Sequence, residues 1–545
     1  MSPVKEPQPL IRINAGDNVA VALRPLRAGE KLDAAGIALA VLEDIPTGHK
    51  IALQNIGPGD RVIKYGYPIG AASAPISAGA HVHTHNVRTL LSETPVYHYS
   101  PAPDDAGTKA DAGIVDAIPE HPAKLPPEIS AYRRRDGQIG IRNEIWIIPT
   151  VGCVNSTAEA LARWADKEFG RGSNGASGAI DGVYAWTHPY GCSQMGSDHE
   201  ATRTILADLA KHPNAAAVLV VALGCENNTI DGFKEALGPY AEDSGRIAFM
   251  VTQNCDDEIA EGRRLLVALA EQAAKAKREP VKASELVIGM KCGGSDGLSG
   301  ITANALVGQV CDSLTAMGAG VILTEVPEMF GAEQMLMDRC ESQELFEKTV
   351  SLVETFKEYY RSHNQVVYDN PSPGNKAGGI TTLEDKSCGC VQKSGKALVR
   401  GVYRYGERVT DDTTTDGAAH SNAAPGGRDA PGPRGLVLLE GPGNDIVSST
   451  AMTAAGAHLI LFTTGRGTPL GAPAPTIKIS SNSDLAHRKA NWIDFDAGRL
   501  LTENAEDVRV EILRLIMDTV SGNKKTRNEE NGYREIAIFK NGVTL

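Results

Sequence analysis

The stretch Asn143–Val151, NEIWIIPTV, followed by a polar corner and then by Thr157–Phe169, TAEALARWADKEF, decides the fold. The first piece is a near-continuous apolar run of strand length, and the second reads as an amphipathic helix. A strand that is apolar throughout buries both of its faces, as in a parallel sheet between two helical layers. The same unit recurs outward along the chain. AIDGVYAWT (179–187) precedes the helix 198–212, AAAVLVVAL (215–223) precedes 229–241, and RIAFMVTQ (246–253) precedes 257–278. A second cycle begins at ELVIGMK (285–291) and runs through GVILTEV, GLVLLE, AHLILFTTG and TIKIS. The reading is a multidomain α/β protein with two parallel-sheet domains, 129–280 and 281–545.

On the N-terminal side the pattern changes. Residues 11 to 98 are short β-prone runs broken by Ala-Gly, Pro-Gly and Pro-Thr-Gly corners, with no helical period, so residues 1–100 form an all-β domain. Residues 101–128 are rich in Pro, Ala, Asp and Gly with little to pack. They read as a flexible linker, which predicts a separable β module that swings over an α/β crevice. The polar excursion 411–435 reads as a disordered surface loop.

Composition excludes several classes of function. A chain of 545 residues with 42% hydrophobic and 22% charged residues, and no apolar run near about eighteen residues, is not a membrane protein. MSPVKEPQPL has no signal-peptide h-region, and nine cysteines without a dense regular spacing read as reduced thiols in a cytoplasm. A net charge of −13 argues against nucleic acid, so an anionic substrate has to be met by local cations or backbone N–H groups.

Three sets of residues carry chemistry. HVHTHN (81–86) puts His81, His83 and His85 on one face of an extended strand, and imidazole is the commonest neutral ligand of transition metals. The competing reading is a polar, solvated strand face. Cys153, Cys192, Cys225, Cys255 and Cys292 each follow a predicted strand, where ligands of open parallel sheets bind. Such thiols suit iron, as a single ion or a cluster, although small residues also fill tight corners. Without a CxxC pair a zinc ribbon is unsupported. The corners KCGGSDGLSG (291–300), NPSPGNKAGG (370–379), EGPGND (440–445) and TTGRGTP (463–469) expose backbone N–H groups, and Lys376 and Arg466 add charge for an acidic ligand. The chain has no GxGxxG after its first strand, no GxxxxGK[ST] and no GxSxG, so nucleotide binding and serine hydrolysis are not indicated.

Read together, the segments GHKIAL, VIKYGYPIG, HVHTHN, RNEIWIIPTVGCVN, YGCSQMG, LGCENN, KCGGSDGLSGITAN, LTEVPEMFGAEQ, NPSPGNKAGGITTLEDKS, FTTGRGTP and WIDFDAG resemble the altronate/galactarate dehydratase family over nearly the full chain. The resemblance implies that the N-terminal domain is a SAF domain with a β-clip fold. It implies a hydro-lyase of hexuronate breakdown that turns D-altronate into 2-dehydro-3-deoxy-D-gluconate with ferrous iron or a similar divalent ion such as Mn2+; the corner thiols leave an Fe–S cluster as the alternative, and cysteine usage places the enzyme in the cytoplasm. Galactarate enzymes carry an acidic residue in the stretch like HVHTHN, which puts this chain on the altronate side. Dehydration of galactarate and sugar-acid binding without turnover stay open as alternatives, and so does a homo-oligomer. The expected site has His83, His85, Cys153, Cys192, Cys225 and Cys292 as metal ligands. His49 and Lys50 serve as the acid/base group and carboxylate partner, and Ser295, Asp296, Asn375, Lys376 and Arg466 bind substrate.

Overall fold

In the computed structural model, strand Glu144–Pro149 is buried at all six positions and lies between two parallel neighbours, Ile145 pairing with Val183 on one side and Ala217 on the other. Ile145 and Ile147 share a core with Leu161 and Leu266, which stand on helices Asn155–Phe169 and Glu258–Ala273. Trp146 and Ile148, pointing the other way, pack with Ile205 and Phe233 of helices Gly196–Lys211 and Ile230–Leu237. The structure describes residues 8–34, 37–91, 95–100, 126–170, 179–242, 245–409 and 434–542.

This middle sheet has the order Val183–Ala185, Glu144–Pro149, Ala215–Ala222, Ile247–Val251, all parallel. The C-terminal sheet has seven parallel strands in the order Val399–Tyr403, Gly435–Leu439, Gly320–Leu323, Val287–Cys292, Leu459–Thr464, Thr476–Ser480, Phe495–Asp496. In each sheet the chain builds first to one side of its opening strand and then crosses to the other. That reversal opens a ligand crevice at the carboxyl ends of the central strands. Each of the two α/β domains therefore offers one such crevice.

The antiparallel set Ile139–Gly140, Glu128–Arg133, Arg278–Lys282 ties the two ends of the middle domain together. The tail returns to the same domain. Arg534 reaches Glu144 at 2.8 Å and Ile538 joins the core around Trp146, so the expected second domain 281–545 lends its last described residues to the first.

The N-terminal part is all β, as expected. Leu10–Ile11, Val19–Ala22, Lys50–Ala52 and His81–Val82 form one antiparallel sheet, while Arg61–Lys64, Tyr67–Ala72 and Val87–Arg88 form a second. Its buried Val19, Val62, Ile69 and Val82 belong to the same continuous core as Leu306, Leu323 and Leu383 of the C-terminal domain. A shared dry core contradicts a module that swings freely, because opening it would expose all of this apolar surface. Of the predicted linker 101–128, residues 101–125 lie outside the described residues, as do 411–433 of the predicted loop 411–435; Gly435 already begins a strand. Among the described residues no helix is long and apolar enough to cross a membrane.

Candidate functional site

The GHK, GGSDG and NKAGG corners meet backbone to backbone. Gly48 has φ +81°, and a Cβ built on Gly297 or Gly379 would stand 1.9 or 2.3 Å from its carbonyl oxygen. Only residues without side chains allow this approach. It delivers His49 and Lys50 from the β domain onto the segment that follows helix Pro373–Ala377, with His49 Nε2 3.4 Å from the Ala377 carbonyl oxygen and Lys50 Nζ donating to the Gly379 carbonyl at 2.7 Å.

Three imidazoles gather there. His49, His81 and His83 hold ligand nitrogens within 4.8 Å of one another, and His49 Nδ1 lies 3.0 Å from His81 Nε2. This differs from the expected strand. Only His81–Val82 is extended, because Asn86 bends the chain: its Oδ1 accepts from His83 N at 2.9 Å and its Nδ2 donates to the His81 carbonyl at 2.8 Å. The turn brings His83 in beside His49 and leaves His85 exposed, its ring 5.4 Å from that of His81 but its nitrogens outside the group of three. Burial, reinforced by the neighbouring histidines and Lys50, pushes His81 down to about 3 and His83 to about 4, and burial also lowers His49. Neutral imidazoles at pH 7 are the form that binds a metal.

Beneath them lies helix Leu383–Cys390, LEDKSCGC, buried along its whole length despite its charges. Each charge has a partner. Glu384 accepts from Thr89 Oγ1 and Leu90 N at 2.8 and 2.6 Å; Asp385 takes Lys50 at 2.8 Å and Lys64 at 3.0 Å; Lys386 meets Glu328 at 2.7 Å. Burial alone would raise Asp385, but the two lysines outweigh it and hold the carboxylate well below its usual range. Lys50 is brought down to about 8 by burial, against the pull of Asp385. It is fully enclosed, so it positions Asp385 and the Gly379 backbone and does not reach a substrate.

The same helix floors a cavity of about 1330 Å³ at the crevice of the C-terminal sheet. Cys292, Glu328 and Lys386 form its polar base, Asn370, Ser372 and Asn375 one side, and Tyr359, Tyr360 and Trp492 part of an aromatic wall. Cys292 Sγ lies 2.9 Å from Glu328, 3.3 Å from Cys390 Sγ and 2.8 Å from Lys393 Nζ. Cys292, Glu328 and Cys390 are thus a second group that could hold a metal ion. A cation is less at home there than among the histidines, because Lys386 and Lys393 already stand against its ligand atoms. Burial alone would raise Glu328, but Lys386, Lys393 and Lys291 hold it at about 2.

The five corner cysteines do not share one site. Cys153, Cys192 and Cys225 lie exposed at the edge of the middle sheet, Cys255 is half-buried with its thiol 3.3 Å from the Val251 carbonyl, and Cys292 belongs to the other sheet. Asp296 is spent on structure: it accepts from Ser299 Oγ and Ser481 Oγ at 2.8 Å and from Asn482 Nδ2 at 3.0 Å. Asn375 caps its own short helix and donates to the Ser295 carbonyl at 2.8 Å, which buries Ser295. Lys376 follows Asn375 half-buried, and Arg466 is exposed beside Gly294 at the cavity rim. Sequence reasoning missed Lys64, Glu328, Asp385, Lys386, Cys390 and Lys393. A charged helix without an apolar stripe reads as surface.

Comparison with known proteins covers the chain in three consecutive stretches. Residues 8–90 match the altronate/galactarate dehydratase SAF domain, 131–274 the D-galactarate dehydratase/altronate hydrolase second domain, and 283–544 the D-galactarate/altronate dehydratase C-terminal region. The chain is 48% identical to altronate dehydratase of Escherichia coli (strain K12) and 45% identical to that of Bacillus subtilis (strain 168), in each case over 98% of this chain and 99% of the relative. It is 30% identical to galactarate dehydratase (L-threo-forming) of E. coli, over 97% of this chain and 96% of that enzyme.

Proposed function

The chain belongs to the altronate/galactarate dehydratase family, and from that premise we propose that it is a hydro-lyase converting D-altronate to 2-dehydro-3-deoxy-D-gluconate in cytoplasmic hexuronate breakdown. The observation that carries the substrate is the 48% identity to the altronate enzyme, against 30% to the galactarate enzyme, at nearly full coverage of both.

Losing water from a 2,3-dihydroxy acid removes the proton at C2 and expels the hydroxyl at C3. The residues fit a divalent ion of the Fe2+ or Mn2+ kind: His81 and His83 would hold it, with His49 beside them, and Asp385 lies behind the cluster. Such an ion supplies Lewis acidity toward the substrate carboxylate and hydroxyl. His85, exposed, has no part in this reading. Proton transfer falls to His49, which burial keeps neutral; with Nε2–H turned to the Ala377 carbonyl, its lone pair lies on Nδ1 beside His81. Lys50 and Lys64 keep Asp385 charged and fix the strand that carries His49. The sugar acid occupies the cavity, where Lys386 meets its carboxylate and Ser372 and Asn370 its hydroxyls, while Arg466 beside Gly294 and Lys376 after Asn375 attract it from outside the lining.

The test is an anaerobic assay of the iron-loaded protein against D-altronate, galactarate and a set of other aldonic and aldaric acids, read as 2-oxo acid formed. Turnover of D-altronate above all others is the expected outcome. Faster turnover of galactarate moves the chain to the other branch, and saturable binding without product makes it a binding protein.

A further inference from the structure

We propose that the crevice of the middle sheet holds an iron–sulfur cluster on the thiolates of Cys153, Cys192 and Cys225. The site is distinct from the histidine cluster and from the cavity, and the sugar-acid assignment does not depend on it.

The three cysteines stand at the topological switch of their sheet. Cys153 follows Glu144–Pro149, Cys225 follows Ala215–Ala222, and Cys192 lies beyond Val183–Ala185. Their loops are locked to one another on both sides of Cys192. Gly152 N donates to the Tyr190 carbonyl at 2.8 Å, Asn228 N to the Gly191 carbonyl at 3.0 Å, and Ser193 N to Asn227 Oδ1 at 2.9 Å. A Cβ on Gly191 would stand 2.1 Å from the Thr150 carbonyl oxygen, so the loops of Cys153 and Cys192 touch through backbone alone.

All three thiols are exposed, whereas Cys292, Cys311, Cys340, Cys388 and Cys390 are buried. Cysteine normally behaves as a small buried apolar residue, so three exposed at one crevice call for a ligand. Each is preceded by glycine, and Gly191 and Gly224 take φ of +98° and +128°. Their N–H groups are held within the corners, Gly191 N donating to Gln194 Oε1 at 3.0 Å and Gly224 N to Glu226 Oε2 at 2.6 Å, which fixes the turns that present the thiols.

The spacing counts against a single ion held by all three thiolates. Four thiolates on one tetrahedral ion at bonds of about 2.3 Å lie about 3.8 Å apart. Among the described residues the three sulfurs are not gathered within 4.8 Å, as the two compact groups of candidate ligands are. A cluster, with an iron at each thiolate, sets them further apart. Three protein ligands leave one iron open to a small oxygen ligand.

The test reconstitutes the full chain anaerobically with ferric iron, a thiol reductant and sulfide, so that the mixed-valence state is reached, removes the excess, and measures iron, acid-labile sulfide and visible absorption. Iron and sulfide should be retained in near-equal amounts, with the broad sulfide-to-iron charge-transfer band. Cys153→Ser, Cys192→Ser and Cys225→Ser should each lower retained sulfide at least about tenfold, and Cys255→Ser should not. Thermal melting checks that the variants fold. Alkylation of the unmodified protein, read by mass spectrometry, should find these three thiols protected only after reconstitution, and this decides the matter even if a variant unfolds. Iron retained without sulfide, wild-type sulfide in the triple serine variant, or equal labelling before and after reconstitution would each overturn the proposal.

Discussion

The two parallel sheets share a plan and differ in what covers their crevices. Over the C-terminal sheet, the β domain and the helix Leu383–Cys390 close the crevice with paired ions buried between them, Lys50 and Lys64 against Asp385 and Lys386 against Glu328. Over the middle sheet the equivalent edge stays open, with thiols and glycine turns facing solvent. One topology thus carries two differently covered crevices, decided by loops and by the domain docked on them. The difference also predicts how each edge responds to substitution. Charges buried in a dry seam matter to stability, and exposed thiols matter only to what they bind.

The largest effect follows from removing the pivot of the seam. Asp385→Ala strands the ammonium groups of Lys50 and Lys64, which are 0% and 3% exposed, with no carboxylate between them. Breaking a buried ion pair this way costs about 3–5 kcal/mol. Denaturant unfolding should show that loss, while the serine variant of Cys153, Cys192 and Cys225 stays within about 0.5 kcal/mol of the parent. Equal, small losses in both would mean that the seam is not what holds the β domain in place.

Next come the histidines. His83→Ala should lower iron retention and 2-oxo acid formation about 10²-fold, His81→Ala similarly, and His85→Ala only a few-fold, because the turn at Asn86 turns His85 out of the cluster. Wild-type iron content in His83→Ala would remove the metal from this seam. The prediction for His81 and His85 reverses what an extended strand implies, and the reversal shows where sequence reading stops. Alternation of apolar runs with helices was legible in NEIWIIPTV and its repeats because burial on both faces leaves a pattern within one segment. HVHTHN was legible as a run that gathers imidazoles but not as a turn, since the bend depends on one side chain, Asn86, outcompeting the strand ladder. The keystone helix was not legible at all. Glu384, Asp385 and Lys386 find partners in Thr89, Lys64 and Glu328, residues 295, 321 and 58 positions away, and no local pattern encodes such pairs.

A smaller effect is expected at the joint between the two sheets. Arg142 binds Glu529 at 2.7 Å and Arg534 binds Glu144 at 2.8 Å, all four side chains at most 5% exposed. Burial alone would raise Glu529, but Arg142 and Arg534 outweigh it and hold it at about 2, below its ordinary value of 4.5. A carboxylate depressed in the folded state contributes stability that is complete above the unfolded value and lost as pH falls through the folded one. Stability should therefore decline between pH 4.5 and about 2, by at most about 3 kcal/mol from this group. Glu144, raised by burial, works in the opposite sense and trims that figure. Glu529→Gln should flatten the acid limb of an unfolding-versus-pH curve; an unchanged slope would show that the joint carries no such linkage.

The smallest effect separates the rim of the closed crevice from its floor. Arg466 is exposed beside Gly294, and Lys376 is half-buried after Asn375, so both act through water and salt screens them. Cations in that position attract the substrate carboxylate without being engaged more strongly in the transition state, which is uniform binding. Arg466→Ala and Lys376→Ala should therefore raise KM for D-altronate up to about tenfold and leave kcat nearly unchanged, with the difference from the parent shrinking as salt is added. Lys386→Ala removes a buried partner of Glu328 at 2.7 Å and should lower kcat as well. A fall in kcat for Arg466→Ala, insensitive to salt, would mean that the corner TTGRGTP folds inward over bound substrate and belongs to the floor after all.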